Sequence, residues 1–116
     1  MNEVDSLLGA LESIKDQIKI DVVLAPSSYE DELREVVSSK IVINIPGLDT
    51  AIAFGMELQL KSDSTKSYEE ARQQAHSTLA AKIKEWPADA VVEYLMTKEY
   101  DQLRSLFRKK REKEAN

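Results

Sequence analysis

The chain has 116 residues, of which 42% are hydrophobic and 32% are charged, and its formal net charge is −5. This length and mixture predict one soluble globular domain over residues 1–116 and exclude a wholly disordered chain. Cysteine is absent, which excludes disulfides, thiolate catalysis and cysteine-ligated metal centres. The apolar runs are far shorter than the roughly 20 residues that cross a bilayer, and the first residues are acidic where a signal peptide is basic. We therefore expect a cytoplasmic protein without a membrane partner.

The first half of the chain, residues 1–61, begins with an amphipathic helix. Apolar residues recur at steps of three and four over residues 2–18, which is the period of a helix with one buried face: Val4, Leu7, Leu11, Ile14 and Ile18. Residues 19–25 then alternate between apolar and polar side chains and are rich in β-branched types, which predicts a strand.

A short acidic helix is predicted after this strand. Pro26 ends the strand, and Ser27 with Glu30 forms a capping box that opens a helix over residues 28–38. We expect this helix to bury Leu33, Val36 and Val37.

Two further strands are predicted, joined by a turn. Residues 41–45 are almost all β-branched, and Pro46 and Gly47 end this strand. Apolar residues alternate strictly over residues 50–60, which favours the second strand of a hairpin. The same segment has apolar residues every four positions and contains good helix formers, so a helix over residues 50–60 is the alternative.

The second half, residues 67–113, is predicted to be helical. A polar loop over residues 61–66 precedes it, and Ser67 with Glu70 forms a capping box for a helix that extends to about Glu85. Trp86 and Pro87 end that helix, because proline disfavours helical geometry at the preceding residue and suits the start of a new helix. A break near Thr97, with Thr97 as the cap, would begin a final helix that carries a basic run.

These elements predict an α+β fold, with a small three-stranded mixed or antiparallel sheet packed against four to five helices. Two or three of the helices are consecutive at the C-terminus. A sheet of this size has a free edge that can pair with another chain. We therefore expect a homo-oligomer, formed through the sheet edge or through the first helix.

The basic run near the C-terminus is the first candidate binding surface. Leu103, Leu106 and Phe107 would dock the final helix and leave its cations in solvent, able to contact a polyanion or an acidic protein surface: Arg104, Arg108, Lys109, Lys110, Arg111 and Lys113. The structural alternative is that these cations complement the dipole at the helix C-terminus and solubilise the chain end. The acidic net charge argues mildly against general nucleic-acid binding.

An acidic cluster is the second candidate surface and would contact a basic partner: Glu30, Asp31, Glu32 and Glu35. Carboxylates near a helix start are also favoured by the helix dipole, which is the alternative explanation for their position.

Catalytic patterns are lacking in the sequence. His76 is the only histidine, the three glycines are isolated, and no Gly-x-Ser-x-Gly segment occurs. We therefore expect no catalytic, metal-binding or cofactor-binding residues. The sequence predicts a non-enzymatic protein that acts by binding another macromolecule, and we expect this partner to be a protein. The alternatives are a nucleic-acid-associated accessory protein that uses the basic helix, and an inhibitor whose acidic surface competes with nucleic acid for a basic enzyme. An enzyme that uses carboxylates distant in sequence is a third hypothesis.

Overall fold

A computed structural model describes residues 2–61 and 65–115. Within these residues the chain forms five α-helices, one 3₁₀ turn (Lys15–Gln17) and a three-stranded sheet, so the predicted α+β fold is confirmed. The helices are α1 (Glu3–Ile14), α2 (Tyr29–Arg34), α3 (Tyr68–Lys84), α4 (Ala88–Lys98) and α5 (Tyr100–Ala115). The strands are β1 (Lys19–Leu24), β2 (Val36–Asn44) and β3 (Ile52–Gln59). Part of the predicted loop over residues 61–66 lies outside the described residues.

The sheet is antiparallel, with strand order β1-β2-β3. Residues 50–60 therefore contain a strand and not a helix. Gly47 has a φ of 87° in the turn between β2 and β3, a conformation that glycine adopts without a steric penalty. Beyond the end of β1, the Ala25 amide donates to the Ser38 carbonyl at 3.0 Å. Because β2 is the central strand, β1 and β3 are edge strands, and each has one edge that pairs with no other described strand.

The helix predicted over residues 28–38 is shorter in the structure, because α2 ends at Arg34. Glu35 adopts the left-handed conformation with φ 51° and ψ 51°, and its amide donates to the carbonyls of Asp31 and Glu32. The β-branched Val36 and Val37 then begin β2.

The predicted cap and burial of this helix also change. The N-cap is Ser28 and not Ser27, since the Ser28 hydroxyl accepts from the Asp31 amide at 3.1 Å. Val36 and Val37 are buried as expected, although from a strand, whereas Leu33 is 65% exposed. The shortened helix therefore presents an apolar side chain to solvent that the sequence pattern assigned to the core.

The Glu35→Gly variant is expected to be more stable than the wild type by about 1 kcal/mol, because a side chain in the left-handed region is strained and glycine is not. The free energy of unfolding from urea titration measures this gain. Glu32→Gly is the matched control within α2, where glycine should instead cost about 1 kcal/mol. A destabilised Glu35→Gly variant would contradict the left-handed conformation at this position.

The described residues fall into two compact units, and each is assembled from separate segments of the chain. One contains residues 2–19, 43–52 and 86–115, and the other contains residues 20–42 together with the described part of 53–85. In the first unit, α4 contacts both α1 and α5. Its core consists of Leu7, Leu11, Ile43, Ile45, Ile52, Val91, Val92, Leu95 and Leu103. The organisation as a single domain stays a prediction.

In the second unit, two side chains of α3 bind the backbone beside the strands. The Tyr68 hydroxyl donates to the Val36 carbonyl at 2.9 Å, and burial raises the pKa of this tyrosine above its ordinary value. Arg72 donates from Nη1 to the Ala25 carbonyl at 2.9 Å. The predicted cap is confirmed, because the Ser67 hydroxyl accepts from the Glu70 amide at 3.2 Å.

The break between the last two helices lies at Glu99 and is not capped by Thr97. Thr97 is within α4, and its hydroxyl donates to the Glu93 carbonyl at 2.8 Å, a bond that threonine makes inside helices. The predicted docking of α5 depends mainly on Leu103, which is fully buried, while Leu106 and Phe107 are partly exposed.

Candidate functional site: two charged surfaces

Three of the six predicted basic residues lie on one face of α5 and surround a single carboxylate of α1. Arg108 donates to Glu3 from Nε at 3.1 Å and from Nη2 at 3.2 Å. Arg111 Nη2 lies 3.8 Å from the same carboxylate, and Arg104 Nη1 lies 4.0 Å from it. The guanidinium of Arg104 also lies 6.0 Å above the ring centre of Tyr100, within the range of a cation–π contact. Arg104, Arg108 and Arg111 are called the arginine cluster below.

Glu3 is held in the first turn of α1, where Asn2 is the N-cap. The Asn2 side chain accepts from the Asp5 amide at 2.8 Å, and an acidic residue in this turn is favoured by the helix dipole. An open cleft of about 430 Å³ lies beside the carboxylate, lined by Asn2, Glu3, Ser6, Arg108 and Arg111. Sequence reasoning missed Glu3, because 105 positions separate it from Arg108 and no local pattern relates the two residues.

The three lysines of the basic run do not join the arginine cluster. Lys113 pairs with Asp49, and Lys110 lies 4.0 Å from Glu114. The Lys110 ammonium also lies close to Gly47. Lys109 is exposed and has no ion-pair partner among residues 2–61 and 65–115. The six predicted residues therefore divide between a converging set of arginines and dispersed lysines.

The predicted acidic residues lie along and just beyond α2. Asp31 is partly buried and pairs with Arg34 at 3.4 Å. Arg34 also donates to both carboxylate oxygens of Glu57, at 3.1 and 3.3 Å, and the Glu57 carboxylate raises the pKa of Arg34. The remaining three, Glu30, Glu32 and Glu35, are exposed and make no ion pair within the described part of the chain. Their negative charge is therefore open to a partner.

Two apolar side chains on α2 are more exposed than any other large apolar residue described. Tyr29 is 77% exposed and Leu33 is 65% exposed, and their spacing of four positions places them on one helix face. Sequence reasoning assigned Leu33 to the core and did not select Tyr29. The acidic surface is defined below as Tyr29, Glu30, Glu32, Leu33 and Glu35.

The described residues contain no group of three histidine, cysteine, aspartate or glutamate side chains placed to hold a metal ion. No helix among them is long and apolar enough to cross a membrane. A second cleft, of about 490 Å³, lies on the sheet between β2 and β3, and Lys40 and Glu57 are the ionisable side chains among the described residues that line it. His76 is partly buried on α3 and its Nδ1 has no hydrogen-bond partner among the described residues.

Comparison with known proteins gives no relative from which a function can be transferred: no family model, no curated protein and no solved structure matches the chain.

Proposed function

We propose that this chain is a non-enzymatic interaction protein that binds a basic, partly apolar segment of another protein through the acidic surface. The observation that carries the proposal is the exposure of Tyr29 and Leu33 on one face of α2, at 77% and 65%. Glu30, Glu32 and Glu35 lie within two positions of this pair in the sequence, are exposed, and make no ion pair among the described residues. The surface thus combines a small apolar contact area with charge of one sign.

The apolar pair would supply most of the affinity. Covering exposed apolar area contributes about 25 cal/mol per Å², and tyrosine is among the residues that most often dominate binding energy at interfaces. The helix that carries both residues is fixed at its two ends, by the Ser28 cap and by the left-handed Glu35. Little conformational entropy would be lost at this helix on binding.

The carboxylates would select the partner. Charges around an apolar contact accelerate association with a surface of opposite sign and disfavour surfaces of like sign. The partner chemistry that fits is an amphipathic segment in which lysine or arginine flanks apolar residues. The contact should weaken as salt screens the exposed charges.

The double variant Tyr29→Ala, Leu33→Ala is expected to bind such a segment at least tenfold more weakly, since each lost anchor costs about 1–2 kcal/mol. The probe is a synthetic helical peptide of leucine and lysine, and its dissociation constant is measured by fluorescence anisotropy. Val23→Ala is the matched control, because Val23 is a 50% exposed apolar residue of β1 outside the acidic surface. A version of the peptide with glutamate in place of lysine should not bind.

Two outcomes would overturn the proposal. Equal losses of peptide affinity in the double variant and in Val23→Ala would show that the peptide does not recognise the acidic surface. Unchanged binding by the double variant, with loss on changing Glu30, Glu32 and Glu35 to lysine, would instead favour the inhibitor hypothesis. A mimic of nucleic acid depends on carboxylates and not on apolar anchors.

Homo-oligomer formation stays a prediction. Among the described strands, β1 and β3 each pair on one side only, and this supports the prediction because an exposed edge offers backbone hydrogen-bonding groups to a second chain. The exposed Val23 on β1 adds an apolar contact beside one of these edges. Association with nucleic acid also stays a prediction. The arginine cluster on α5 supports it, because guanidinium groups can contact backbone phosphates.

A further inference from the structure

We infer that the arginine cluster is a binding site for a phosphate group, in which the Glu3 carboxylate lies at the position of a resident anion. Three guanidinium groups approach this one carboxylate, at 3.1 Å from Arg108, 3.8 Å from Arg111 and 4.0 Å from Arg104. Convergence of several arginines on one anion is the arrangement by which proteins bind phosphates. The inference concerns residues other than the acidic surface and is independent of the proposed function.

Most hydrogen-bond donors of the arginine cluster are not used by Glu3. Each guanidinium carries five N–H groups, yet only Arg108 donates to this carboxylate, through Nε and Nη2. Arg104 and Arg111 lie within ion-pair distance but beyond hydrogen-bond distance of Glu3. Donors on both residues therefore remain available to a second anion.

The charge of the cluster matches a phosphate dianion better than a carboxylate. Three positive side chains face one negative side chain, which leaves an excess of two positive charges. Like charges gathered around one carboxylate repel one another unless further negative charge compensates them. A phosphate monoester carries close to two negative charges near neutral pH. Inorganic pyrophosphate carries at least as much negative charge, and both present more acceptor oxygens than a carboxylate does.

The cleft beside Glu3 provides the space for such a group. It measures about 430 Å³, and its lining combines Arg108 and Arg111 with Glu3 and the polar residues Asn2 and Ser6. A phosphate in this cleft would accept from Arg108, Arg111 and the Ser6 hydroxyl. Arg104 does not line the cleft and would contribute its positive charge from beside Glu3. Glu3 would compete with it for Arg108, because both anions seek the same N–H groups.

The test uses inorganic pyrophosphate as the probe and isothermal titration calorimetry of the full chain at low salt. The variants Arg108→Gln and Arg111→Gln should each weaken binding roughly tenfold, since each loses charge-assisted hydrogen bonds. Glu3→Gln should strengthen binding about fivefold, because it removes the competing charge. Lys109→Gln changes the net charge by the same amount on the same helix, but Lys109 lies outside the cleft. The dissociation constant of this variant for pyrophosphate should be within a factor of about two of the wild-type value.

The inference fails if wild-type protein does not bind pyrophosphate, or if Lys109→Gln loses as much affinity as Arg111→Gln. It also fails if a short oligothymidylate without terminal phosphates binds more tightly than pyrophosphate and responds equally to all three cation variants. That result would indicate nonspecific contact with a nucleic-acid backbone. The double variant Tyr29→Ala, Leu33→Ala should keep its pyrophosphate affinity. Failure of peptide binding at the acidic surface can therefore be distinguished from failure of phosphate binding at the arginine cluster.

Discussion

The Leu103→Ala variant is expected to be less stable than the wild type by about 3 kcal/mol in the free energy of unfolding, because it removes a fully buried leucine and leaves a cavity. Leu103 is 0% exposed and is the only core residue that α5 contributes among the described residues. Its helix contacts α4, where Val91, Val92 and Leu95 are buried as well. Urea denaturation followed by circular dichroism gives the free energy of unfolding.

Leu106→Ala is the matched control for this variant, since it removes the same atoms one turn further along the same helix. Leu106 is only partly buried, so its loss should cost about 1 kcal/mol, in proportion to the smaller apolar area removed from water. Equal destabilisation by the two variants would contradict the packing of α5 through Leu103.

The second large effect is expected at Arg72, the one charged side chain that is buried among the described residues. Arg72 is 8% exposed, donates to both carboxylate oxygens of Glu69 at 3.1 and 3.2 Å, and donates to the Ala25 carbonyl at 2.9 Å. Arg72→Met keeps an apolar stem of similar length but loses all three bonds. We expect a loss of about 2–3 kcal/mol, because bonds to charged groups are strong and the Ala25 carbonyl loses its donor.

Arg34 offers a control of the same chemistry at the surface. It also donates to both oxygens of a glutamate, Glu57, but its side chain and that of Glu57 are each 49% exposed. Arg34→Met should change the free energy of unfolding by little more than the error of measurement, since solvent screens exposed ion pairs. A loss at Arg34 equal to that at Arg72 would contradict the role of burial.

The cost of Arg72→Met should also depend on pH. Hydrogen bonds from Arg72, and secondarily from Gln73, hold the pKa of Glu69 below its ordinary value. A lowered pKa in the folded state adds stability above the unfolded pKa, and this stability is lost as the pH falls through the folded pKa. The difference between wild type and Arg72→Met should therefore shrink below about pH 4. A difference that stays constant down to pH 2 would exclude the Glu69 contribution.

The periodic segments of the sequence predict most of the fold. Regular steps of three and four predicted α1 and α3, and alternation of side chains predicted β1 and β3. These patterns are informative because an element that packs one face against the core has apolar residues at the period of that element, about 3.6 in a helix and 2 in a strand. The end of α2 was not predictable in the same way, because it depends on Glu35 adopting a conformation that few non-glycine residues adopt.

Sequence reasoning identified the charged residues but not their arrangement. The run from Arg104 to Lys113 was selected as one basic surface, and only the fold separates its arginines, which face Glu3, from its lysines. Leu33 is 65% exposed on α2, although the apolar pattern of residues 28–38 assigned it to the core. Contacts between residues distant in sequence carry no local signal, so both features required the structure.

The division of the chain into two units has a consequence for the order in which they are completed during synthesis. The unit formed by residues 20–42 and 53–85 has all its described segments once residue 85 has been made. The other unit joins residues 2–19 to residues 86–115, so α1 has to wait for its partners α4 and α5 until the ribosome has made nearly the whole of this sequence. Glu3 and the arginines that surround it would meet only in that last step, when the long intervening segment is closed into a loop.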